Sequence, residues 1–118
     1  MTRFLAGAAI AALSLSLLPA GASALEGRYR MEGTSSRNPG PYSGTCDLTR
    51  QETWYDVRCV NANGDRYSGK GMLKDKAFSL YLGEYLLVYE VRPDGVLDGH
   101  WVHLNSQDIG VETLTPAK

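Results

Sequence analysis

Gly44–Val60 reads GTCDLTRQETWYDVRCV and holds the only two cysteines of the chain, Cys46 and Cys59. It divides into two short alternating segments around a polar turn near Glu52 and Thr53. Folding them antiparallel about that turn sets Cys46 opposite Cys59 and Leu48 opposite Val57. Residues two apart on a strand share a face. Tyr55, Val57 and Cys59 therefore point one way, and Asp56 and Arg58 the other. With the charges outward, the cysteines face a core, and a disulfide between them staples one β-hairpin. The C-x-x-C spacing of redox pairs is missing, and no histidine stands near for a metal site. A disulfide closing a loop of about 13 residues contributes on the order of 3 kcal/mol by the chain-entropy relation.

Outward from this hairpin the same grammar repeats. Alternation dominates, and turn residues recur about every 8 to 12 positions. It predicts eight strands, over Leu25–Thr34, Tyr42–Arg50, Trp54–Asn61, Arg66–Lys74, Ala77–Leu82, Tyr85–Arg92, Val96–Leu104 and Ile109–Leu114. Ser35–Pro41 is a loop rich in breakers. Asn63-Gly64 and Pro93-Asp94-Gly95 are turns with a stereochemical cause, because Gly supplies φ > 0 and Pro presets φ. The connections are too short for parallel crossovers, so neighbours pair antiparallel. The expected fold is all-β: an eight-stranded up-and-down barrel, with an open β-sandwich as the fallback. Tyr-Ser-Gly-x-x-x-Leu occurs at Tyr42 and again at Tyr67, and Leu97-Asp98-Gly99 echoes it. These glycines fall on inward positions, where they make room for aromatic rings.

The N-terminus is of another kind. Arg3 is followed by an apolar run from Phe4 to Leu18, then Pro19 and Ala22-Ser23-Ala24. This is the pattern of a cleaved signal peptide over residues 1–24. The apolar run is about 15 residues, and a membrane-spanning helix needs about 20. Removing 24 of the 118 residues leaves 94, one domain over residues 25–118. The formal net charge is −1 and becomes −2 without Arg3. Its charges are interspersed, which argues against nucleic acid or an anionic membrane as partner. The expected location is the periplasm or the exterior of the cell, with no membrane insertion after cleavage.

The chemistry on offer is limited. His100 and His103 are the only histidines. Three apart on a strand, they point to opposite faces, so no metal is expected. No serine sits in a nucleophile-elbow context. Glu84, Glu90, Asp98 and Glu112 are carboxylates without a distinguishing cue, and no Gly-rich phosphate loop leads into a helix. The chain reads as a non-enzyme without cofactor. Seven Tyr and two Trp are more informative. They combine apolar area with a polar tip, which suits pocket walls. Tyr29, Tyr67, Tyr89 and Trp101 are the candidate ligand-binding residues of a small cavity beside the Ser35–Pro41 loop. Leu86, Val88 and Val102 fall on outward positions, an apolar patch suited to a second copy or an envelope protein.

The residues also carry a resemblance. Gly27-Arg28-Tyr29-Arg30-Met31-Glu32-Gly33, Pro41-Tyr42-Ser43-Gly44-Thr45, Tyr67-Ser68-Gly69-Lys70-Gly71, the stretch Val88–Trp101 and the closing Gly110-Val111-Glu112-Thr113 look like small exported alphaproteobacterial proteins. Some of those carry a fibronectin-binding label. The cystine departs from their pattern. In architecture the chain resembles lipocalin-like and avidin-like barrels, with Tyr29 where the lipocalin G-x-W opening has Trp. The resemblance implies an exported barrel that binds something and carries over no functional residue. The leading expectation is a binding protein with a small apolar ligand in the barrel. The alternatives are a structural envelope protein and a protein-binding module, either an adhesin or a hydrolase inhibitor. Asn63-Gly64-Asp65-Arg66-Tyr67 resembles the S-G-x-x-Y loop of bacterial lysozyme inhibitors, with Asn63 in place of Ser.

Overall fold

A computed structural model describes residues 25–117. The expected signal peptide, residues 1–24, lies outside the described residues, as does Lys118. Eight strands follow in order: β1 (Gly27–Ser35), β2 (Tyr42–Arg50), β3 (Tyr55–Asn61), β4 (Arg66–Lys74), β5 (Ala77–Leu82), β6 (Tyr85–Val91), β7 (Leu97–His103) and β8 (Ile109–Pro116). Each pairs antiparallel with the next, and β8 returns to β1, so the sheet is a closed barrel. The up-and-down barrel is therefore the fold, and the sandwich fallback is set aside. Thr115 and Pro116, beyond the predicted end of the eighth strand at Leu114, belong to the closing strand: Pro116 pairs with Tyr29 and Thr115 with Arg30. The predicted strand ends differ elsewhere by one or two residues. Trp54 precedes β3, and β7 is shorter at both ends.

The opening hairpin takes the register read from its sequence. Cys46 pairs with Cys59 and Leu48 with Val57. The two cysteines are bonded, and both are about 1% exposed. Their sulfurs lie inside the barrel, where Met31 Sδ is 3.7 Å from Cys46 Sγ.

The interior is filled unevenly along the barrel axis. At one end Leu25 plugs the barrel, and Tyr29, Leu48, Tyr55, Val57, Phe78, Leu97 and Leu114 close in above it, all buried. Tyr55 and Phe78 meet edge to face with centroids 5.6 Å apart, the geometry that aromatic quadrupoles favour. Burying each such side chain stabilises the fold by about 1.5–3 kcal/mol. Higher in the barrel, glycine makes room for aromatic rings. A Cβ on Gly99 would strike the Tyr89 ring, and one on Gly110 would strike the Trp101 ring and the Thr34 carbonyl.

The outer face is divided too. Strands β1 to β4 turn Arg28, Arg30, Glu32, Asp47, Arg58 and Lys70 to solvent. Two of these form an ion pair, with Arg28 Nε 2.9 Å from Asp47 Oδ1. Leu86, Val88 and Val102 are exposed on the other half, where the alternation puts them. They form part of a larger face: Tyr81, Leu86, Val102 and Ile109 are cross-strand neighbours in one row over β5 to β8, and Val111 adjoins Val88 through His100.

The cystine clamps a single hairpin, so its loss acts on stability and leaves the barrel topology in place. The double variant C46A/C59A is expected to lose about 3 kcal/mol in urea unfolding while keeping its far-ultraviolet β signature. An unchanged urea midpoint would contradict this.

Candidate functional site

The end of the barrel opposite Leu25 is open. There a cavity of about 300 Å³ enters between the strands. It is ringed by the loop after β1 and by the β3–β4 and β7–β8 connections. Met31, Leu82 and Leu87 form its apolar wall, and Tyr42, Tyr67, Tyr85 and Trp101 its aromatic wall. Ser35, Asn38, Asn61, Asn63, Asp65 and Asp108 make the rim. At the bottom lies Glu112, only 5% exposed and the one buried charged side chain among the described residues.

Glu112 comes inward because β8 is set by both of its neighbours. Gly110 stands opposite the inward Trp101, and Leu114 stands opposite the inward Leu97 and Met31. Glu112, midway between, shares their face. Ile109 and Val111 are thereby turned out to solvent.

A directed hydrogen-bond chain holds the carboxylate. The indole Nε1 of Trp101 can only donate, and it donates to Tyr42 Oη at 2.9 Å. Tyr42 is thus left to give its own proton to Glu112 Oε1, at 2.8 Å. Tyr89 Oη donates to Glu112 Oε2. Both oxygens accept, as an ionised carboxylate does. Burial pushes the Glu112 pKa above its ordinary value, and the two tyrosine hydroxyls pull part of the way back. Burial and the neighbouring carboxylate raise Tyr42 and Tyr89 far enough that both remain protonated donors.

The rim has its own tie. Asp108 accepts from Ser35 Oγ at 2.7 Å, from Ser36 Oγ at 2.9 Å and from the Arg37 amide at 3.3 Å. These bonds hold its carboxyl below the usual range and pin the start of the Ser35–Pro41 loop to the head of β8. His103 is at the same end. Its Nδ1 is 2.7 Å from Ser106 Oγ and its Nε2 is 2.8 Å from Glu84 Oε1. His100 points the other way, outward. Among the described residues no three His, Cys, Asp or Glu side chains gather as a metal site would require.

The four aromatic candidates divide. Tyr67 and Trp101 are on the cavity wall. Tyr89 is inward but sits under the floor, reaching the site only through Glu112. Tyr29 is away from the cavity at the plugged end, where its hydroxyl donates to the Leu25 carbonyl at 2.9 Å. Burial lifts its pKa to about 12. Alternation says whether a side chain points inward, but not which end of the barrel it occupies. Tyr42, Tyr85 and Glu112 complete the site. Tyr42 shares parity with Cys46 and Leu48, a signal that finds it. Glu112 shares parity with Gly110 and Leu114.

No protein-family model and no curated protein matches the chain. Among solved structures it is similar to the zebrafish ileal bile acid-binding protein complexed with cholic acid. That match has a TM-score of 0.47 and 9% identity, over 80% of this chain and 99% of that one. At this identity and score nothing is carried from that protein to this one.

Glu112 makes two predictions. Its folded pKa lies above the unfolded value of 4.5. The folded protein therefore keeps a proton that the unfolded chain gives up, and stability falls as pH rises from 4.5 through the folded pKa. Glu112→Gln retains an acceptor for Tyr42 and offers Tyr89 an N–H, so it folds, and this pH dependence disappears. The melting temperature of the natural protein minus that of the variant should fall between pH 4.5 and 7; a constant difference contradicts a raised Glu112. Glu112→Ala instead leaves two buried hydroxyls without an acceptor and costs roughly 1–3 kcal/mol for each.

Proposed function

We propose that this chain is an exported, non-catalytic binding protein that holds a small ligand with an apolar body in the mouth cavity. The cavity itself carries the reading. Its volume is at the small end of ligand pockets, and its lining is half apolar or aromatic, on the walls, and half polar, at the rim and floor. The half-filled barrel adds weight. The plugged end supplies stability, so the open end is free of that duty.

A protein-binding reading through the Asn63–Tyr67 loop has less support. Asn63 Oδ1 is engaged by the Asp65 amide at 3.1 Å, and Tyr67 is on the cavity wall instead of on an outer surface. Export rests on the N-terminal sequence pattern. The charges on β1 to β4 oppose insertion of the barrel into a bilayer.

Nile red, an uncharged dye, is the first probe. It is expected to bind the natural protein with a blue-shifted emission. Asn61 ends β3 half-buried on the inward side of the rim. Asn61→Trp plugs the mouth without touching the packed end, and should abolish the signal while leaving the fold intact. Dye that binds both proteins equally would place it on the exposed face of β5 to β8 and remove the cavity reading.

A further inference from the structure

The charge of the cavity wall is one-sided. Of the fourteen residues that line it, three are acidic, Asp65, Asp108 and Glu112, and none is Lys, Arg or His. The whole chain is nearly balanced, with 12 basic and 13 acidic residues, so the imbalance belongs to the cavity. Arg37 is the basic residue beside Asp108, at the rim and not on the wall.

The aromatic side chains are set as a box. Tyr67 and Tyr85 have centroids 6.0 Å apart with planes at 80°. Tyr85 and Trp101 are 5.3 Å apart at 88°. In each pair the edge of one ring meets the face of the other, and all three rings line the same cavity. Stacks of parallel rings suit flat neutral ligands, whereas a box of faces suits a compact cation.

Beneath that box lies Glu112, and its hydrogen-bond chain is aimed at negative charge. Tyr42 and Tyr89 both donate to it, and Trp101 fixes the sense of the Tyr42 bond. None of the four ion pairs found among the described residues includes Glu112. A buried carboxylate with only neutral donors bears a desolvation cost that a cation offsets. A ligand anion would meet three carboxylates, with Arg37 and His103 only at the margin beside Asp108 and Tyr85, so the same wall disfavours it.

From the wall charge, the ring geometry and the buried carboxylate together, we infer that the ligand is a small organic cation, a protonated or quaternary amine. Its ammonium sits among Tyr67, Tyr85 and Trp101 above Glu112, and its carbon body lies against Met31, Leu82 and Leu87. This inference rests on the mouth cavity being the binding site.

The test compares ligands of one shape and different charge on the natural protein. Choline and benzyltrimethylammonium are titrated against 3,3-dimethylbutan-1-ol, the neutral isostere of choline, and against 3,3-dimethylbutanoate. Binding is followed by the Trp101 indole N–H resonance and by calorimetry. The cations are expected to bind at least roughly ten-fold more tightly than the alcohol, with the carboxylate weakest. Glu112→Gln should bring cation and alcohol level. Tyr67→Leu, at the half-exposed rim and free of the Glu112 network, should weaken the cations by roughly three-fold and the alcohol less. An alcohol or carboxylate that binds as tightly as the cations overturns the inference. If no cation binds while Nile red still enters and Asn61→Trp expels it, the cation fails and the cavity stands. If Nile red also fails to enter, both fail.

Discussion

The ladder between the last strand and the first closes the barrel. It runs from Tyr29 paired with Pro116 to Ser35 paired with Gly110. Closing the sheet removes both edges, so no strand is left open to pairing with another chain. Closure also fixes the interior volume and the inward residue at every level. An eight-stranded barrel has space for side chains to fill it, or for one small ligand. This chain fills one end and leaves a cavity at the other. Leu25, Tyr55, Phe78 and Leu114 fill one half, and Tyr67, Tyr85 and Trp101 line a cavity in the other.

The polar network at the boundary follows from the same closure. Because β8 is paired on both sides, it cannot slip by one residue to bring Ile109 and Val111 inward. Gly110 must stay against Trp101, and Glu112 is then committed to the interior. Tyr42 and Tyr89 converge on it from β2 and β6 and satisfy both of its oxygens. Among the described residues no buried side-chain polar atom lacks a partner. The carboxylate is thus held in place by neutral donors alone.

Much of the fold was legible in the sequence. The period-two pattern located eight strands and the inward faces of most of them, and the cysteines set the register of one hairpin. The turns after Asn63 and Pro93 carry glycines with positive φ, Gly64 at 95° and Gly95 at 88°, which is why they were readable. The outward positions of Leu86, Val88 and Val102 were equally plain. The site was less so. On β8 apolarity points to the wrong face, because Ile109 and Val111 are more apolar than Gly110 and Glu112. Only the neighbouring rings reveal the true one: Gly110 is needed against Trp101 as Gly99 is against Tyr89. The height of a residue along the barrel was also hidden. That is why Tyr29, inward as expected, proves to belong to the plugged end.

The floor of the cavity is thus an ionisable, desolvated carboxylate, Glu112. The most direct measurement is a carbon-13 titration of the Glu112 side-chain carboxyl, without ligand and then with saturating benzyltrimethylammonium. A midpoint above 4.5 is expected in the free protein, with a downward shift when the cation binds, because a nearby positive charge favours the ionised form. A free-protein midpoint at or below 4.5, or a midpoint that the cation does not move, would contradict this.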